Sequence, residues 1–110
     1  MVILKENTLD LDTYFSLRAS VGWKLLTNTQ AEKALKNSLI TITAYENNVP
    51  VGMGRIVGDG AVICYVQDLV VHPDYQKLGV GRLIMERLIK FVSEVKEKDS
   101  EIMMCLMCAK

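Results

Sequence analysis

The chain has 110 residues, half of them hydrophobic, enough for one domain with one core and incompatible with disorder or with two domains. Its 13 basic and 13 acidic residues cancel, so the basic excess of a general nucleic-acid binder is missing. The longest apolar run, AVICYV at residues 61–66, is far too short to cross a bilayer, and MVILKENTLD at the start lacks the apolar stretch of a signal peptide.

Residues 2–5 (VILK) predict a short strand. Asp10 or Asp12 can cap a helix running to about Ser20, with Tyr14, Leu17 and Val21 on one face and Gly22 ending it. Thr29-Gln30-Ala31-Glu32 has the spacing of a capping box and predicts a second short helix to about Asn37. The period then changes to two over residues 39–45. Ile40, Ile42 and Ala44 fall on one side, Thr41, Thr43 and Tyr45 on the other. Glu46-Asn47-Asn48 reads as a turn, and residues 51–57 as a strand weakened by Gly52 and Gly54. Gly58-Asp59-Gly60 predicts a tight hairpin turn. Residues 61–71 predict a long strand that is apolar on both faces, hence central and covered on both sides.

His72-Pro73-Asp74-Tyr75 breaks that strand. Residues 80–97 carry the strongest helical pattern. Ile84, Leu88, Phe91, Val92 and Val95 line one face, and Arg82, Glu86, Lys90 and Glu97 lie elsewhere. Lys98-Asp99-Ser100 is a loop, and residues 102–109 predict a last strand. Three adjacent strands with short turns should be antiparallel. The strand–helix–strand unit over 61–109 is long enough for a parallel crossover. The expected fold is a single α/β domain over 1–110, a mixed sheet that is mostly antiparallel.

Between the long strand and the long helix lies QKLGVGR, residues 76–82. A glycine loop at a helix start leaves backbone N–H groups free, and the helix dipole adds partial positive charge, so a phosphate can dock there. Gly79 and Gly81 allow close approach of the backbone, while Lys77 and Arg82 add charge at the rim. An isolated GxG can also be a plain turn. Two familiar nucleotide loops do not fit: Ile84 stands where a Rossmann fingerprint needs glycine, and Gly81 is followed by Arg82-Leu83 instead of Lys-Ser/Thr.

A third pattern does fit. Gln76-Lys77-Leu78-Gly79-Val80-Gly81 has the form Q/R-x-x-G-x-G/A, follows DLVVHPDY and opens an amphipathic helix. In these residues the chain resembles the GCN5-related N-acetyltransferases, and its order of elements resembles theirs throughout. The resemblance implies the acyl-CoA N-acyltransferase fold and acetyl-CoA as cosubstrate. It assigns the pyrophosphate of coenzyme A to Gln76, Lys77, Leu78, Gly79, Val80, Gly81 and Arg82. It lays the pantetheine arm along the backbone of Leu69, Val70 and Val71, beside a last strand that splays away from 61–71.

The implied reaction is direct transfer of an acetyl group to an amine of a small molecule or peptide. Asp68 is the candidate general base, or else a partly exposed structural carboxylate. A backbone N–H near Leu69 or Val70 is the candidate oxyanion donor. Arg18 and Trp23 fall in the segment that forms the acceptor site in the family, although a lone tryptophan there also suits a core or hinge. The family's general acid is a tyrosine on a helix after the last strand seen here. Tyr14, Tyr45, Tyr65 and Tyr75 do not stand at that position, so the resemblance implies an acid beyond Lys110, or a replacement. It also implies an open strand edge at 102–109, suited to a homodimer with exchanged elements. The alternative is a non-catalytic CoA-binding, regulatory or dimerising module of the same fold.

Cys105 and Cys108 spell CxxC, but on a strand residues so spaced point to opposite faces, so neither a shared metal nor a disulfide is expected. One histidine, His72, makes metal sites and histidine-based triads poor expectations. Met103, Met104 and Met107 read as core filling. Three cysteines without an export signal suit reduced thiols in a cytoplasm.

Overall fold

The computed structural model describes residues 1–106, Leu106 by its backbone alone. In chain order it contains β1 (Val2–Glu6), α1 (Leu11–Ser20), α2 (Asn28–Lys36), β2 (Ile40–Glu46), β3 (Val49–Gly58), β4 (Ile63–Val71), α3 (Val80–Val95) and β5 (Met103–Leu106). A single 3-10 turn, Pro73–Tyr75, follows β4. The strands form one sheet in the order β1-β2-β3-β4-β5. The first three pairings are antiparallel, and β4 pairs with β5 in parallel across α3. The expected mixed, mostly antiparallel sheet is thus the observed one.

Alternation on the strands sorts the core into two layers. Ile40, Ile42, Ala44, Ile56, Cys64 and Val66 pack under Val80, Ile84, Leu88 and Val92 of α3. Those four helix residues recur every four positions and are buried, each burial stabilising the fold by about 1.5–3 kcal/mol. Phe91 and Val95, read as part of the same stripe, are only half-buried at its margin. On the opposite face, Tyr14 and Leu17 of α1 and Ala31 of α2 cover Met53 and Val70.

Gly52 and Gly54 have a reason in this packing. A Cβ at Gly54 would stand 2.9 Å from Ile84 Cγ2 and 3.1 Å from Leu88 Cδ1. The two glycines therefore let α3 lie close to the sheet. What reads as a weakness of the strand is a packing requirement.

Several boundaries differ from expectation for local reasons. Asp10 caps α1, its carboxylate accepting the Thr13 N–H at 2.8 Å, and Gly22 takes a left-handed φ of 74° just past the end. The capping box is Thr27 with Gln30, not Thr29 with Glu32. Both pairs satisfy the same spacing, and the earlier one starts the helix two residues sooner. Asn47 and Asn48 both take left-handed φ, as a two-residue hairpin loop requires. The turn after β3 is wider than predicted. The Asp59 carboxylate accepts N–H groups from Ala61, Val62 and Ile63 at 2.9–3.0 Å, which holds residues 61 and 62 out of β4. Met103 is 61% exposed, because alternation on β5 turns it away from α3, while Met104 packs under the helix. Cys108 and Met107 lie outside the described residues.

Candidate active site

Near its end β4 leaves regular geometry. Gln67 pairs with Arg55 and Val70 with Met53, so Asp68 and Leu69 together oppose the single Gly54. This is a β-bulge, and at it Asp68 adopts φ 53°, a left-handed conformation that aspartate tolerates better than most residues. The extra residue flips the strand. Cys64 and Val66 face α3, whereas Asp68 and Val70 face α1. Asp68 and Leu69 have no partner in the β3–β4 register. β5 pairs with β4 only at residues 63–66 among the described residues, leaving the Leu69–Val71 stretch without a strand on that side. The remainder of the predicted strand 102–109, where the splay was expected, lies outside the described residues.

The Asp68 carboxylate is enclosed. Tyr14 donates its hydroxyl to Oδ2 at 2.5 Å, Arg55 donates Nε to Oδ2 at 2.7 Å, and Arg18 donates Nη1 to Oδ1 at 2.7 Å. Only 7% of the Asp68 side chain is exposed, against 14% and 12% for Arg18 and Arg55. Three of the roughly four lone-pair positions of an ionised carboxylate are thus occupied by donors. Burial, then the hydrogen bond to Asp68, pushes the Tyr14 hydroxyl above its ordinary pKa, so it stays protonated. Arg55 continues to Ala34 O and Ser38 Oγ, both at 3.2 Å. Arg18 continues to Lys24 O at 3.2 Å, and its guanidinium lies 5.2 Å from the Trp23 ring centre and 5.6 Å from that of Tyr14. Arg18 and Trp23 are therefore in contact with each other, and Arg18 joins them to Asp68. Sequence reasoning missed Tyr14 and Arg55. A charged residue inside the otherwise apolar strand VGMGRIV was the available signal for Arg55.

The loop after β4 is built from backbone. Gln76 donates its amide to Val71 O at 3.0 Å, and His72 Nδ1 accepts from the Asp74 N–H at 3.1 Å, which together fold the loop against the strand end. Lys77 and Gly79 take left-handed φ of 67° and 84°. Gly79 is the N-cap of α3 and brings no side-chain hydrogen bond; its carbonyl receives the Leu83 N–H at 3.1 Å. The N–H groups at 79–82 are therefore without intrahelical partners, in a first turn that carries no acidic residue. A Cβ at Gly79 would meet nothing within 4 Å, so this glycine serves its φ, and the space before it is open. Gly81 differs from expectation: a Cβ there would sit 3.5 Å from Val71 Cγ2, an ordinary contact with room for alanine. Leu78 is exposed, and Arg82 pairs at 3.2 Å with Glu86 on the helix surface. The helix start stands beside the end of β4, since Val80 and Val70 both border Gly52. A separate groove of about 330 Å³, lined by Ile89, Val92, Ile102 and Met104 with Lys96 and Glu101, lies between α3 and β5 and contains none of these residues.

An uncapped glycine loop after a bulged strand is thus present, and residues 8–105 match the acetyltransferase (GNAT) family. The chain belongs to that family. Among GNAT relatives, an uncharacterised N-acetyltransferase, ycf52, of Porphyra purpurea is 36% identical over 91 residues, covering 77% of this chain and 52% of that protein. The chain spans about half the length of the curated relatives it matches. A Staphylococcus aureus protein of unknown function, described as a probable acetyltransferase, superposes with a TM-score of 0.88 at 32% identity, over 99% of this chain and 80% of its own. An aminoglycoside 6′-N-acetyltransferase solved with coenzyme A shares the fold at a TM-score of 0.71 and 18% identity, over 84% of this chain and 56% of its own. These are acyl-CoA N-acyltransferase folds. Among the described residues no helix is long and apolar enough to cross a membrane.

Proposed function

We propose that this GNAT chain binds acetyl-CoA at residues 76–82 and transfers the acetyl group to an amine of a small molecule or peptide. The observation that carries this is the open, side-chain-free start of α3 at Gly79, placed directly after the bulge of β4. The free backbone N–H groups at 79–82 would take the pyrophosphate, with Lys77 and Arg82 at the rim. The backbone of Leu69, Val70 and Val71, which has no strand partner on the β5 side among the described residues, suits the pantetheine arm as an added strand. An N–H of Leu69 or Val70 would hold the carbonyl oxygen as it becomes an oxyanion. The amine, approaching past Arg18 and Trp23, loses a proton and forms the new N–C bond; the C–S bond breaks, and the departing thiolate gains a proton. The aminoglycoside enzyme solved with coenzyme A supports the cosubstrate by analogy of fold. Two free cysteines, Cys64 and Cys105, suit a reducing compartment such as the cytoplasm.

From the sequence Asp68 is a candidate general base or else a partly exposed structural carboxylate. Its three donors weigh toward an anchoring role, because accepting the amine's proton would mean loosening two ion pairs. That same engagement is the one observation favouring the second reading, a CoA-binding module without turnover. Both readings meet a common first test. Acetyl-CoA should raise the melting temperature by mass action. No shift at millimolar ligand sinks both. Given a shift, release of free thiol with any member of a panel of amines establishes transfer, and none across the panel leaves the module.

A further inference from the structure

We infer that Asp68 is a positioning residue: by binding Arg18, Arg55 and Tyr14 at once, its carboxylate fixes the bulge of β4 and so aims the N–H groups of Leu69 and Val70. The inference rests on the acetyl-CoA reading above.

Among the described residues Asp68 is the single non-glycine residue inside a strand with left-handed φ; the others, such as Asn47, Asn48, Lys77 and Asp99, lie in turns and loops. A conformation of that kind persists where its surroundings over-determine it, and it recurs where geometry serves chemistry. Here the surroundings come from three directions. Arg55 reaches from β3, Tyr14 and Arg18 from α1, and each arginine is tied onward, to Ala34 O in α2 and to Lys24 O in the loop after α1. Charge-assisted bonds to a buried group hold geometry more firmly than neutral ones. A slide of Asp68 toward regular strand would break all three of its contacts together. It would also remove the two-against-one arrangement of Asp68 and Leu69 opposite Gly54 and turn the N–H groups of Leu69 and Val70. An ion-pair cluster serving stability alone has no reason to centre on that residue. Through Arg18, the same pin reaches Lys24 O and the Trp23 ring, so the acceptor side and the thioester side share one anchor.

The test follows backbone amides by two-dimensional 15N NMR, with CoA and with acetyl-CoA as probes. In the wild type, amides at 79–82 should move with both ligands. Leu69 or Val70 should move further with acetyl-CoA, because only that ligand carries a carbonyl. Asp68→Asn keeps a residue that tolerates left-handed φ but removes the charge. Its amides at 79–82 should still move with both ligands at saturation, since that site makes no contact with the cluster. The acetyl-specific shift at Leu69 and Val70 should fall to about half or less as the ion pairs weaken. Arg55→Lys, which retains charge and gives up the guanidinium geometry, should lower the same shift. It supplies the measurement if Asp68→Asn folds poorly. An undiminished acetyl-specific shift in the folded variant overturns the inference while leaving the acetyl-CoA reading standing. Absence of any wild-type response at 79–82 overturns the reading itself, and the inference falls with it.

Discussion

The loop at 76–82 and the cluster around Asp68 are built on opposite principles. The loop is nearly all backbone: a left-handed glycine, free N–H groups and no side-chain cap. The cluster is all side chain: one carboxylate, two guanidinium groups and a phenol, shielded from water. The loop leaves donors unsatisfied and open, which suits a ligand that comes and goes. The cluster leaves few unsatisfied, which suits a part that must not move. Asp59 shows how this fold holds an anion with backbone alone. Its carboxylate takes N–H groups from Ile63, Ala61 and Val62 and is pulled down to about pKa 2, although fully exposed.

Substitutions can break this contrast. Asp68→Ala should be the most damaging, since it strands two guanidinium groups. Urea denaturation should show a loss of about 3–5 kcal/mol, and a loss under about 1 would mean the cluster holds nothing. Gly79→Val forces a β-branched residue into left-handed φ and should cost about 1–2 kcal/mol by the same measurement, together with most of the affinity for CoA. Tyr14→Phe keeps the ring and removes one of three donors, so calorimetry should report a loss of about 1 kcal/mol. Gly81→Ala should go the other way. With room for the methyl group, it should gain about 0.5 kcal/mol while CoA affinity holds, as the G/A alternative in the motif implies. The smallest effect is on pH. The folded Asp59 binds its proton more weakly than the ordinary carboxylate at 3.8, so the unfolded chain takes up protons first as pH falls. Its share of stability is complete above about pH 4 and disappears toward pH 2. An Asp59→Asn variant should lose less stability than wild type across that interval.

The loop and the sheet were legible in the sequence for the same reason: both are local. Period-two alternation marks β2, a four-residue stripe marks α3, and the glycine spacing marks the loop at 76–82 without knowledge of distant residues. The bulge was not legible. At Asp68 the register slips, yet buried residues continue at 64, 66, 68 and 70, so the alternation runs on unbroken while the face it addresses changes. The cluster was hidden as well, because Tyr14 and Arg55 reach Asp68 across 54 and 13 positions of chain. Tyr14 read as a core residue of α1, which it also is. The sequence singles out Asp68 by its place before the strand end, but its partners Tyr14, Arg18 and Arg55 come only from the tertiary arrangement. Gly52 and Gly54 teach the same lesson, since their reason is a helix that arrives about thirty residues later.

In the proposed function the backbone at Gly79 receives the pyrophosphate of coenzyme A. Isothermal titration of coenzyme A into the wild type and the Gly79→Val variant tests it most directly. The wild type should bind one-to-one, and a variant whose circular dichroism is unchanged should bind at least about tenfold more weakly, a difference of about 1.4 kcal/mol. Equal affinities, or no heat from the wild type at millimolar ligand, would contradict it.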